Sequence, residues 1–113
     1  MVVALTKELS FEQRMKKIRA GIRLKSRVPV AVAWTEAGRT LHAEGYTVDI
    51  SNKGCLAILP QGFTVGQRLH LINMTNQNVC EAILVWRGHE GRSGWELGLE
   101  LQHVAEEFWG VDF

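Results

Sequence analysis

"YTVDISNKGCLAIL", residues 46–59, reads as two apolar runs meeting at a corner. Tyr46, Val48 and Ile50 occupy every second position, the period of a strand with one face on a core. Asp49, Ser51, Asn52 and Gly54 are turn-forming residues, and "CLAIL" follows as a second short strand. With Tyr46, Val48 and Ile50 facing inward, parity turns Thr47, Asp49 and Ser51 outward and sets Asp49 beside Ser51. Gly54 permits a positive φ, or a close approach by a ligand or another strand. The competing reading of the same corner is a plain strand-end turn whose Asp and Ser bond to their own loop.

The same period extends in both directions. In "RVPVAVAW", residues 27–34, Val28, Val30, Val32 and Trp34 alternate with small or polar residues, and "TEAGR" reads as a hairpin loop carrying Gly38. Downstream, "RLHLINM" and "VCEAILVWR" flank the turn "TNQN", and Trp95, Leu97, Leu99 and Leu101 alternate in a last strand. Turn signals separate these runs at intervals of roughly 8–12 residues, which predicts an all-β antiparallel barrel or sandwich. A six-stranded barrel leaves no open strand edge and suits so short a chain. Upstream, Ser10 and Gln13 form a capping box, and Phe11, Met15 and Ile18 lie at helical spacing, which predicts a short helix ending near Gly21. The tail "VAEEFWGVDF" predicts one helical turn followed by packed aromatics.

The chain has 113 residues, enough for one core, and is 46% hydrophobic and 22% charged, as a globular domain is. One domain is expected over 1–113, with a helix and arm at 1–22, a barrel at 23–101 and a turn with an aromatic tail at 102–113. A formal net charge of +1 argues against sequence-blind nucleic-acid binding, which needs a basic surface. Cys55 and Cys80 both lie in apolar strand-like runs, form no CxxC pair and read as buried free thiols, which fits a reducing cytoplasm. "MVVALTKEL" lacks the features of a signal peptide, and no segment reaches the roughly 20 apolar residues of a membrane span. Membrane insertion is therefore not expected.

Arg19, Arg23 and Arg27 recur at four-residue spacing across the junction from helix to first strand. A guanidinium is a planar fork that matches phosphate oxygens and the O6/N7 edge of guanine. His42, His70, His89 and His103 are scattered without ligand spacing, so no metal site is expected. Glu96 and Glu100 share a strand face but read as solvated charges rather than an acid–base pair. Trp34, Trp86, Trp95 and Trp109 read as core or barrel-closing residues. No nucleophile–base pair is apparent, and no enzyme is expected.

An RxxxR pair at a helix-to-strand junction, then a hairpin, then DxSxxG, resembles the signature of PilZ domains. The resemblance continues through "GCLAIL", "GQRLHL", "ILVWR" and "WELGLEL" to the end "FWGVDF", and so covers nearly the whole chain. It implies a six-stranded antiparallel barrel that binds cyclic di-GMP, with no further cofactor. Asp49, Ser51 and Gly54 match DxSxxG. The motif arginines are either Arg19 and Arg23, the favoured register, or Arg23 and Arg27. The resemblance further implies that the arginines grip phosphates and guanine faces, that the DxSxxG residues hold a guanine, and that Trp95 or Gly98 borders the ligand. The expected function is a cyclic di-GMP receptor, monomeric or weakly dimeric, whose N-terminal arginine segment reorders on binding and signals to a downstream protein. The alternative is a degenerate PilZ-type domain that contacts proteins without binding nucleotide.

Overall fold

The structure, a computed structural model, describes residues 23–102 and 107–111. The helix expected over residues 10–20, Arg19 and His103 lie outside the described residues. The described residues form seven strands: β1 (Leu24–Lys25), β2 (Pro29–Glu36), β3 (Arg39–Ser51), β4 (Gly54–Leu59), β5 (Arg68–Asn73), β6 (Asn78–Gly91) and β7 (Gly94–Leu101). All their pairings are antiparallel. The order β3-β2-β5-β6-β7-β4 closes on itself through β3–β4, which makes a six-stranded barrel, and β1 is added outside the ring on β3. Within the described part of the tail, residues 107–110 form a turn closed by Gly110 N donating to the Glu107 carbonyl, the expected helical turn is not shown, and Phe108 and Trp109 are buried as the aromatics predict.

Strand β3 closes the barrel by changing partner along its length. Residues Arg39–Tyr46 pair with β2, and Tyr46–Ser51 pair with β4. The change occurs at Tyr46, next to Gly45, where any Cβ would overlap the Ile58 carbonyl oxygen of β4. Only a glycine lets the two backbones approach so closely at the corner.

Alternating residues fill the interior: Val30, Val32 and Trp34 from β2, Leu69 and Leu71 from β5, Cys80, Ala82 and Leu84 from β6, and Leu97, Leu99 and Leu101 from β7. Phe63 adds its ring edge-on to Trp34 at 4.7 Å. Cys55 and Cys80 are free thiols within this core, so burial rather than a cross-link holds the barrel together.

Three register shifts break the alternation, one of them between Arg87 and Glu90, and the other two shape the surface. In β3 the inward residues run Leu41, Ala43, Gly45 and Thr47, and the register then shifts between Thr47 and Asp49. Val48 is the extra residue, so Ile50 becomes the inward one and Asp49 and Ser51 face out. The outward placement of Asp49 and Ser51 matches expectation, but Thr47 does not: it is buried. Its Oγ1 accepts from Val28 N at 2.8 Å and donates to the Ser26 carbonyl, fastening the segment that leads into β2. Tyr46, expected in the core, is only half-buried. In β6 the register shifts between Leu84 and Trp86, leaving Val85 unpaired. Trp86 therefore turns outward and is 48% exposed, not part of the core as its sequence position indicates.

Candidate functional site

The two bulges aim their strands at one cleft. It has a volume of about 500 Å³ and opens over β4 and β7, between the end of β3 and the bulged part of β6. Asp49, Ser51 and Gly54 border it on one side, Val85 and Trp86 on the other, and Gly98 lies in its wall. Its charges are mixed: Arg23 and Lys53 supply cations, Asp49 and Glu100 carboxylates.

Arg23 reaches the cleft because β1 is zipped onto the strand that carries Asp49. Leu24 pairs with Ile50 and Lys25 with Asp49, and Ser26 N donates to the Val48 carbonyl at 3.2 Å. This short ladder takes the edge of β3 that β2 has left. It places the Arg23 guanidinium 3.4 and 3.5 Å from the two carboxylate oxygens of Asp49, across 26 residues of chain. These distances are longer than the 2.7–2.9 Å of a tight charge-assisted bond. The Arg23 side chain is 63% exposed, so the pair contributes only about 0–1 kcal/mol and opens readily to a better partner.

Ser51 and Gly54 end the two strands of the β3–β4 hairpin, with Asn52 and Lys53 between them. The Ser51 hydroxyl accepts from Lys53 N at 3.2 Å and lies 3.5 Å from the Gly54 carbonyl, as in a plain strand-end turn. Asp49 instead bonds to Arg23, so the two outward residues divide between the two readings of this corner. Gly54 does not adopt a positive φ. A Cβ there would overlap the Leu99 carbonyl oxygen, so this glycine admits β7 alongside β4.

Of the arginines, Arg23 joins the cleft and Arg27 does not border it. The Arg27 guanidinium lies 3.7 Å from the centre of the Tyr46 ring, a cation–π contact that the outward turn of Tyr46 makes available. Arg23 is therefore the member of both registers that meets Asp49. Gly98 borders the cleft, whereas Trp95 packs against Gly62 and beneath Arg87, away from it. Burial holds the Cys55 thiol well above the ordinary cysteine range, and the nearby Asp49 charge adds to this, so Cys55 is not a nucleophile for the cleft. Among the described residues, no group of three or more His, Cys, Asp or Glu could hold a metal ion, and no helix is long and apolar enough to cross a membrane.

Sequence reasoning missed Val85, Trp86 and Lys53. The signal for the first two was the unbroken apolar run "AILVW", which cannot keep one face inward without either burying both faces or inserting a bulge.

An exposed indole opposite a carboxylate–guanidinium pair suits a planar ligand that carries both hydrogen-bond donors and negative charge. Trp86 supplies a stacking face, Asp49 accepts N–H bonds, and Arg23 binds an anion or a base edge. The family model described as PilZ domain matches residues 13–108, most of the chain. A search of curated proteins found no match, and a search of solved structures found none. The match spans the barrel, the Arg23 segment and the Asp49–Gly54 corner together, and the chain belongs to the PilZ domain family.

Proposed function

We propose that this chain is a cyclic di-GMP receptor domain and that the Arg23–Asp49 cleft is its ligand site. PilZ domains are generally cyclic di-GMP-binding domains. The observation that carries the reading is the meeting of Arg23 and Asp49 within 3.4 Å at the mouth of the cleft. Asp49 accepts from the N1–H and N2–H edge of a guanine, which no arginine can do. Arg23, with Arg19 upstream, binds phosphate oxygens or the O6/N7 edge of a guanine. Trp86 stacks on a base, with Gly98 leaving the space beside it open. Arg27 joins only by leaving Tyr46. Ser51 binds a guanine edge beside Asp49, and Gly54 keeps the geometry of the corner.

The signal in this reading starts at the loose ion pair. Ligand phosphate draws Arg23 away from Asp49 while guanine takes its place, and the arginine segment reorders over the ligand to present a surface to a downstream protein.

Calorimetric titration with cyclic di-GMP tests the reading. Binding by the native chain is expected, with Arg23→Ala and Asp49→Ala each weakening it by about 30-fold or more, the cost of removing one partner of a buried charged bond. A folded native chain that gives no heat at high micromolar ligand would instead support a protein-contact module that keeps the barrel without the nucleotide.

A further inference from the structure

Ser51 is also gripped from the far end of the chain. The Trp109 indole Nε1–H donates to the Ser51 backbone carbonyl at 2.9 Å, across 58 residues. Trp109 is only 6% exposed and meets Phe108 edge-on at 4.7 Å. The tail that carries it is fastened at its own base. The Phe108 carbonyl accepts from Asn73 Nδ2 at 2.8 Å and Asn76 Nδ2 at 3.2 Å, and the Glu107 carbonyl accepts from Asn78 Nδ2 at 3.0 Å. The tail is thus a strut from the β5–β6 turn to the corner of the ligand site.

That corner needs outside support. A two-residue hairpin loop follows the twist of its strands when it contains positive φ angles, as Ala37 and Gly38 do in the β2–β3 loop at 54° and 76°. Neither Asn52 nor Lys53 has a positive φ, so the β3–β4 loop is not of the favoured kind. The Asn52 Oδ1 atom is buried there without a hydrogen-bond partner. The loop is pinned instead by its neighbours: Leu101 N donates to the Lys53 carbonyl at 2.8 Å, and Trp109 holds the Ser51 carbonyl.

We infer that Trp109 is a positioning residue for the ligand site, and that the tail and the Asp49–Gly54 corner are thermodynamically coupled through the Trp109–Ser51 bond. This rests on the cyclic di-GMP reading above. By fixing the Ser51 carbonyl, Trp109 fixes where β3 ends and so where the Asp49 carboxylate stands relative to Trp86. Linkage makes the effect reciprocal: a ligand that needs the corner ordered tightens the tail in return.

Trp109→Phe tests this, because it keeps a buried ring and removes only the N–H donor. In the ligand-free protein, amide exchange at Lys53 and Gly54 should quicken by at least about tenfold while exchange in β5 stays unchanged. In the native protein, cyclic di-GMP should slow exchange of the Trp109 indole N–H, assigned by its loss in the variant. Affinity for cyclic di-GMP should fall by about 5- to 50-fold in Trp109→Phe. Ser51→Ala should leave the indole signal in place, since the acceptor is backbone. If Trp109→Phe does not fold, Asn76→Ala with Asn78→Ala loosens the tail base from exposed positions and should act in the same direction. Unchanged exchange at Lys53 and Gly54 in a folded variant would overturn the positioning role whether or not ligand binds. Unchanged affinity in the variant, with the native chain binding, would overturn the coupling alone. A native chain that does not bind overturns the receptor reading, and the coupling with it.

Discussion

Trp86 stands directly across the β6–β7 ladder from Gly98, and its Cβ lies 3.2 Å from where a side chain on Gly98 would begin. The indole therefore has an open flank on the cleft side because its partner has no side chain. Base stacking on an aromatic residue contributes about 1–3 kcal/mol. Trp86→Ala is expected to weaken cyclic di-GMP binding by about 5- to 150-fold in calorimetry. Because the ring is already half-exposed, the unfolding free energy should change by about 1 kcal/mol or less. Gly98→Val should crowd Trp86 and reduce affinity through the same ring.

Gly54→Ala should behave differently from Asp49→Ala, although both residues belong to one motif. The added methyl group would meet the Leu99 backbone, which cannot move without opening the β4–β7 ladder. Overpacking of this kind costs about 1–3 kcal/mol or more. The expected result is a lower denaturant midpoint together with lost binding. Asp49→Ala should lose binding with the midpoint nearly unchanged, since its ion pair is mostly exposed on the arginine side.

Ala37 carries a φ of 54° ahead of Gly38 at 76°, the backbone of a primed hairpin turn that prefers Asn-Gly. A residue with a Cβ pays about 1 kcal/mol to sit there, and Asn less. Ala37→Asn is expected to raise stability by about 0.5–1 kcal/mol, read from a urea titration. The loop does not border the cleft, so affinity should not change.

Cys55 sets a limit on alkaline stability. Its native thiol is held protonated, first by burial and then by the Asp49 charge. Above about pH 9 the unfolded chain releases this proton while the native chain keeps it, so stability falls as pH rises. The slope due to this one group is about 1.4 kcal/mol per pH unit, and below its unfolded value the contribution is constant. Denaturation curves at pH 8, 9 and 10 should show the decline, and Cys55→Ala should flatten it.

The barrel was legible because each strand keeps its period where it faces the core. Val30, Val32 and Trp34, or Leu97, Leu99 and Leu101, are inward as their alternation indicates. The cleft was half legible. Asp49, Ser51 and Gly54 stand together because they are close in sequence, and Arg23 joins them through a two-residue ladder. What escaped were the consequences of single inserted residues. Nothing in the side chains of Val48 and Val85 marks them as inserted residues, yet each changes the parity between the residues on its two sides, so that Tyr46 lies out beneath Arg27 while Ile50 points in, and Trp86 lies out over the cleft. The Trp109–Ser51 bond joins positions too distant for any local pattern to announce.

The β1 ladder spans Leu24 and Lys25, and the chain upstream leaves through Arg23. Within the described residues, the pairs at Ile50 and Asp49 and the Ser26–Val48 bond hold β1 to β3. The short ladder of β1 and an occupant of the cleft thus meet at the same residue, Asp49.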